Sequence, residues 1–229
     1  MTTIAVRLQA VRDRIQAAAA AAGRPPEAVR LIAVSKTFPA EAVRQAFQAG
    51  QQAFGENYLQ EAMSKIEAVS DLPLEWHFIG PLQSNKTGPV ARLFSWVHSV
   101  DRLRLAERLS AARPNDMVPL QVCIQVNVSL ERSKSGCQPQ EAFELASAVA
   151  QLPRLRLRGL MTIPEPTSDR LVQRQRFAVL RRLMQDLVSR GLELDVLSMG
   201  MSDDLEAAIA EGATMVRIGR AIFGSRASR

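Results

Sequence analysis

Leu31-Ile32-Ala33-Val34-Ser35-Lys36-Thr37 is a short apolar run closed by a lysine and a threonine, and Phe38-Pro39 and a helical pattern follow it. Such a run, bounded by polar residues, reads as a buried strand that delivers an amine to its own C-terminal end. An amine in a dry strand mouth loses its proton more readily than one in water, and it can then form a Schiff base with a carbonyl compound. A strand-end lysine can equally snorkel to solvent. The choice between these rests on what the rest of the chain places around Lys36.

Outward from this stretch, one phrase repeats. On its N-terminal side Ile4, Leu8, Val11 and Ile15 predict an amphipathic helix over residues 3–22, stopped by Gly23 and by Pro25-Pro26. After the strand at 31–36, further strands are predicted at 54–57, 75–80, 96–100, 120–128, 155–161, 192–197 and 214–218. Helical patterns separate them. One follows Pro39 and closes at Gly50, and others span 58–69, 85–94, 139–151 and 169–190. Asp101 is placed to cap a helix running to Ala112, Asp203 and Glu206 have capping-box spacing before a helix to 210, and a last short helix is expected at 219–223. Glycines at 50, 191 and 212 mark the helix-to-strand joints.

Eight apolar strands alternating with helices imply parallel strands joined by right-handed crossovers. In 229 residues they fit one α/β domain, a (β/α)8 TIM barrel over 1–229, whose N-terminal helix fills the ring position left by a short eighth helix. The alternative is an open doubly wound sheet, but no G-x-G-x-x-G follows the first strand.

Composition narrows the function classes. The chain is 47% hydrophobic and 23% charged, with a net charge of +6 carried mainly by arginine. Its basic residues are dispersed and its aromatics are only 5%, which opposes a nucleic-acid stacking platform. No run approaches the roughly 18 apolar residues of a membrane span, and no secretory signal opens the chain, so a cytoplasmic protein is expected. Cys123 and Cys137 lack metal-ligand spacing, Cys123 reads as a buried thiol, and no metal site is assigned. A barrel buries its own core, so a monomer is expected, with neither nucleic acid nor membrane as partner.

Barrel chemistry collects at the C-terminal strand ends. There the sequence places Lys36 and Thr37, Glu56 and Asn57, Asn127 and Ser129, Thr162, Ser198 and Ser202, and Arg217 with Gly219, while His77 falls within the third strand. Met199-Gly200-Met201-Ser202 and Arg217-Ile218-Gly219-Arg220 both lead into helices. Alone, Ser202 is an ordinary N-cap and Gly219 a strand-to-helix turn. Together they occupy the place after strands seven and eight where barrels commonly hold phosphate. A Schiff-base lysine facing a phosphate cradle points to pyridoxal 5′-phosphate, with a phosphorylated sugar or an aldolase-type substrate as the alternative.

Several motifs carry a family resemblance. Ala33-Val34-Ser35-Lys36, Phe54-Gly55-Glu56-Asn57-Tyr58, the segment Trp76-His77-Phe78-Ile79-Gly80-Pro81-Leu82-Gln83-Ser84-Asn85-Lys86, Ser133-Lys134-Ser135-Gly136, Arg158-Gly159-Leu160-Met161-Thr162-Ile163-Pro164, Ser198-Met199-Gly200-Met201-Ser202-Asp203-Asp204 and Val216-Arg217-Ile218-Gly219 resemble the pyridoxal-phosphate homeostasis protein family. The resemblance runs through the whole chain in order. It implies a barrel like that of alanine racemase, with Lys36 as the Schiff-base lysine, Asn57 near the ring, Arg217 at the pyridine nitrogen, and Ser202 and Gly219 on the phosphate. Relatives often have threonine where this chain has Arg220, whose guanidinium either replaces that hydroxyl or points to solvent. The implied role is vitamin B6 and amino-acid homeostasis through cofactor supply, with transient contact with pyridoxal-phosphate-dependent apoenzymes.

A barrel-type amino-acid racemase is the alternative. An arginine at the ring nitrogen can only donate, which leaves that nitrogen unprotonated and the ring a poorer electron sink. The second base of such a racemase is a tyrosine from an added domain, whereas this chain ends after its eighth unit and its sole tyrosine is Tyr58. No catalytic residue is therefore assigned, and no turnover is expected. Lys86 and Lys134, beside the motifs, read as surface lysines or as a second, weaker cofactor site.

Overall fold

In the computed structural model, which describes residues 3–129 and 135–224, the apolar runs pair in chain order until the last meets the first. The strands are β1 (Arg30–Val34), β2 (Ala53–Glu56), β3 (Glu75–Phe78), β4 (Trp96–Val100), β5 (Leu120–Gln125), β6 (Leu155–Met161), β7 (Val196–Ser198) and β8 (Met215–Ile218). All neighbours are parallel, and β1 closes the barrel on β8 with Arg30 opposite Met215 and Ala33 opposite Ile218. This is the (β/α)8 TIM barrel that the repeated phrase predicts.

The helices are α1 (Ile4–Ala21), α2 (Ala40–Gln48), α3 (Leu59–Ala68), α4 (Thr87–Leu93), α5 (Leu103–Ala112), α6 (Ala142–Ala150), α7 (Arg170–Ser189), α8 (Leu205–Ala210) and α9 (Arg220–Phe223). The Thr3 hydroxyl caps α1 by accepting from the Val6 amide, and Leu8, Val11, Ile15 and Ala19 form its buried stripe. That stripe packs on α2, α8 and α9. Because α9 is a single turn, α1 completes the outer ring.

Strand alternation sorts the core into two parts. One set of side chains lies between strands and helices, with Leu105, Leu109, Leu120, Leu160 and Phe177 fully buried there. A smaller cluster fills the barrel interior: Ile32, Trp96, Cys123, Met161, Val196 and Met215. Both cysteines are buried free thiols, and burial pushes each up to about 12.

Four local expectations are corrected. The seventh strand begins at Val196, because Leu192 and Leu194 serve as packing in the α7–β7 connection and the Asp195 carboxylate pairs with Arg158. The shift places Ser198 inside the strand. The fifth strand stops at Gln125. Asp101 does not cap α5, since its carboxylate accepts from the neighbouring Arg102 guanidinium at 2.6 Å. The Asp203/Glu206 capping box is also absent: Asp204 accepts from the Met201 amide, while Glu206 binds Arg14 from α1.

Candidate functional site

The C-terminal strand ends surround a cavity of about 1200 Å³. Lys36, Asn57, Ser202, Arg217, Gly219 and Arg220, the residues singled out from sequence, all line it. Its remaining walls come from Val34, Ile79 and Ile163 and from the facing ends of α7 and α8.

On the β1 side, Lys36 stands two residues past the strand, in a turn gripped from α3. Glu61 and Lys65 lie one helical turn apart and so share a face. The Lys65 ammonium, almost wholly buried, donates to the Ser35 carbonyl at 2.8 Å, to Glu56 Oε1 at 2.6 Å and to Glu61 Oε1 at 2.9 Å. Ser35 Oγ donates to Glu56 Oε1 at 2.6 Å, and the Thr37 amide donates to Glu61 Oε1 at 2.5 Å. Both residues flanking Lys36 are thus tied into one ion cluster. Burial raises the Glu56 carboxyl above its ordinary range, against the opposing pull of Lys65. Thr37 adopts a φ of 69°, a conformation that costs of order 1–3 kcal/mol in a non-glycine residue and persists only where its surroundings hold it.

On the β7–β8 side, Arg217 lies buried in the cavity floor. Nη1 donates to Ser198 Oγ at 2.7 Å and Nη2 to the Thr162 carbonyl at 2.8 Å. Behind Ser198 a polar file runs down the barrel interior. Ser198 Oγ meets His98 Nδ1 at 2.8 Å, His98 Nε2 meets His77 Nδ1 at 2.9 Å, and His77 Nε2 meets Glu75 Oε1 at 2.6 Å. Arg30 closes the file on Glu75 at the opposite mouth, at 2.8 Å. Burial holds His98 well below the ordinary imidazole range and His77 below it, with Glu75 pulling His77 the other way. Burial also pushes the Arg217 guanidinium down to about 10, where it is still a cation at neutral pH.

Two glycines let backbone approach the cavity. A Cβ on Gly80 would fall 2.3 Å from the Asn57 carbonyl oxygen, so this motif glycine allows the turn carrying Asn57 to sit against the end of β3. A Cβ on Gly219 would fall 3.0 Å from the Val34 carbonyl oxygen, at the seam between β1 and β8. Asn57 Oδ1 is buried with no partner among the described residues. A buried acceptor so placed, on the wall of a cavity, suits a polar ligand.

The other sequence candidates separate. The Thr162 hydroxyl donates to the Val126 carbonyl, and Ser129 accepts from the Glu165 amide. Arg220 extends along the rim, three-quarters exposed, and pairs with Asp203 at 3.4 Å. Tyr58 is 56% exposed and does not line the cavity, nor does Lys86. Lys134 lies outside the described residues. Among those described, no group of three or more histidine, cysteine, aspartate or glutamate side chains is placed to hold a metal, and no helix is long and apolar enough to cross a membrane. Lys65 and His98 were missed from sequence. A lone lysine one turn after Glu61, and a histidine within a mostly apolar strand, were the available signals.

A lysine just past the first strand and a buried arginine on the neighbouring eighth strand thus share one cavity at the mouth of a (β/α)8 barrel. The alanine racemase N-terminal domain family matches residues 6–227. The chain is 63% identical over 226 residues to the pyridoxal phosphate homeostasis protein of Pseudomonas aeruginosa, covering 99% of this chain and 97% of that one. It is 56% identical over 232 residues to the protein of the same name in Escherichia coli, covering 99% and 98%. The solved structure of PipY from Synechococcus elongatus with PLP bound superimposes with a TM-score of 0.85 at 39% identity, covering 97% of this chain and all of that one. The chain belongs to the pyridoxal phosphate homeostasis protein family.

Proposed function

We propose that the chain binds pyridoxal 5′-phosphate in the cavity at the C-terminal strand ends, tethered to Lys36 Nζ, and holds it for supply rather than for turnover. The observation that carries this reading is the convergence of Lys36, Asn57, Ser202, Arg217, Gly219 and Arg220 on one cavity. The PLP-bound PipY structure and the names of the bacterial relatives support it. When bound, the cofactor supplies an aldehyde that condenses with a primary amine, a phosphate, and a ring nitrogen that accepts a hydrogen bond.

Lys36 provides the amine, in a turn held by Lys65 and Glu61. Arg217 donates to the ring nitrogen and, as a permanent donor, keeps a proton off it. Ser202 and the opening amides of α9 at Gly219 and Arg220 take the phosphate, with the Arg220 guanidinium at the rim adding positive charge. Asn57 Oδ1, a buried acceptor without a partner among the described residues, would accept from the cofactor's 3-hydroxyl. No side chain of the cavity wall is placed as a tyrosine second base, since Tyr58 lies elsewhere. The protein acts as a cytoplasmic monomer that passes cofactor to apoenzymes and so serves vitamin B6 and amino-acid homeostasis.

The test is to load purified protein with pyridoxal phosphate, remove free cofactor, and mix it with the apo form of a pyridoxal-phosphate-dependent enzyme. An absorption band absent from Lys36→Ala, transfer that activates the apoenzyme, and no deuterium exchange at Cα of added amino acids are expected. Exchange that depends on Lys36 would replace this reading with the racemase one, and absence of any band would remove the cofactor.

A further inference from the structure

We infer that Ser198, His98 and His77 form a one-way hydrogen-bond relay through the barrel interior that fixes Arg217 as a donor to the cavity, with Glu75 as its terminal acceptor. The inference deepens the cofactor reading and rests on it only for the identity of the ligand.

The direction follows from the arginine. A guanidinium has donors and no acceptor, so Ser198 Oγ must accept from Arg217 Nη1. The hydroxyl hydrogen is then available to His98 Nδ1 at 2.8 Å, which accepts it if unprotonated. A neutral His98 carries its proton on Nε2 and donates to His77 Nδ1 at 2.9 Å. His77 in turn carries its proton on Nε2 and donates to the Glu75 carboxylate at 2.6 Å. Glu75 accepts a further bond from Arg30, and it is the one member of the file with substantial exposure besides Arg30 itself. Each group makes a matched bond on both sides, and none is left with two donors or two acceptors facing each other.

The reverse direction requires an additional proton. His77 would then be an imidazolium and His98 an Nδ1–H tautomer, so that Ser198 accepts from both His98 and Arg217. The charged groups facing the two rings are Arg30 on β1, Glu75 on β3 and Arg217 on β8, with the Arg158–Asp195 pair beyond Trp96. Two of the three nearest are cations, and the rings have no solvent contact, so the neutral direction is favoured. Trp96 stacks on His77 with an interplanar angle of 13°, which fixes the ring plane and leaves little freedom to reorganise. Arg217 is thereby locked by Ser198 on one nitrogen and Thr162 on the other, and its remaining N–H groups are directed by the file instead of by solvent. Ser198, His98 and His77 are positioning residues: none lines the cavity.

The chain has only two histidines, and both lie in this file, so ring nitrogen spectroscopy reads it without overlap. The experiment is long-range 1H–15N NMR of the 15N-labelled full chain at neutral pH, before and after addition of pyridoxal phosphate, on wild type, Ser198→Ala and Ser198→Thr. Both rings are expected as neutral Nε2–H tautomers before addition. When the cofactor absorption band forms, the His98 nitrogens shift in wild type and in Ser198→Thr but not in Ser198→Ala. Cofactor retention falls roughly tenfold in Ser198→Ala and stays within about twofold of wild type in Ser198→Thr, as loss of one charge-assisted bond predicts. An Nδ1–H tautomer or an imidazolium at either ring would overturn the relay whatever the cavity binds. So would an unmoved His98 beneath a fully formed band. If no band forms in any variant, the cofactor reading fails, and the tautomers still decide the relay.

Discussion

The two walls of the cavity hold their key side chains by opposite means. On the β1–β2 wall the buried Lys65 ammonium and the Glu61 carboxylate hold the backbone of the two residues flanking Lys36, and Glu56 accepts from the Ser35 hydroxyl. On the β7–β8 wall the Ser198 hydroxyl, backed by His98 and His77, and the Thr162 carbonyl hold the side chain of Arg217 itself. The difference matches what each group has to do. A lysine proposed to condense with an aldehyde, with loss of water, needs a fixed root. An arginine that only donates needs a fixed tip. Ionic bonds suit the first task because they tolerate a strained turn at Thr37, whereas a neutral file suits the second because it adds no competing charge beside the guanidinium.

The largest effect is expected on the ionic wall. Lys65→Met leaves Glu56 and Glu61 facing each other beneath Ser35, and removal of one partner from a buried ion pair costs about 3–5 kcal/mol. Urea unfolding should show that loss, and Lys65→Met combined with Glu56→Leu should recover much of it. A loss below about 1 kcal/mol would mean that the cluster does not clamp the Lys36 turn.

Acid should divide the walls by sign. The histidines have depressed pKa values in the folded state, so their contribution is complete above the unfolded value near 6.5 and is lost as pH falls below it towards the folded values. Each histidine then removes up to about 1.4 kcal/mol per pH unit. Glu56 has the reverse dependence: burial raises its folded pKa, so its cost at neutral pH is relieved as pH falls through that value. Unfolding free energies should therefore fall less between pH 7.5 and 5.5 in His98→Gln than in wild type, and on acidification through the raised Glu56 range a Glu56→Gln variant should lose stability more steeply. Identical slopes in all three would erase the contrast.

The smallest effect is expected at the rim between the walls. Arg220 and Asp203 are both largely exposed, so Arg220→Ala should alter stability by no more than about 0.5 kcal/mol. Cofactor retention should change by less than about threefold if the backbone amides carry the phosphate, as an exposed pair implies. A loss of tenfold or more, measured by equilibrium dialysis, would place the guanidinium on the phosphate instead.

The barrel was legible in the sequence because its strands are short apolar runs separated by helices of clear period, and because glycine marks several of the joints. The strand-end residues were legible for the same reason: once the strands are counted, Lys36, Asn57, Ser202, Arg217 and Gly219 fall at one end of the barrel. The supports behind them were not. Lys65 looks like a surface lysine until the crossover of α3 turns its face onto Ser35. His77 and His98 are separated by 21 residues, and only the β3–β4 pairing and the inward parity of both strands bring their rings to 2.9 Å. Ser198 was placed beyond its strand because the Leu192–Leu194 alternation imitates one. These relations depend on tertiary register, which local periodicity does not carry.

Lys36 is the proposed attachment point. Loading the protein with pyridoxal phosphate, reducing with borohydride and mapping the labelled peptides by mass spectrometry tests it directly. A reduced phosphopyridoxyl label on Lys36 in wild type, stoichiometric with protein, is expected, with none after exhaustive washing in Lys36→Ala. A stoichiometric label on any other lysine, or an unlabelled Lys36 in loaded protein, would contradict it.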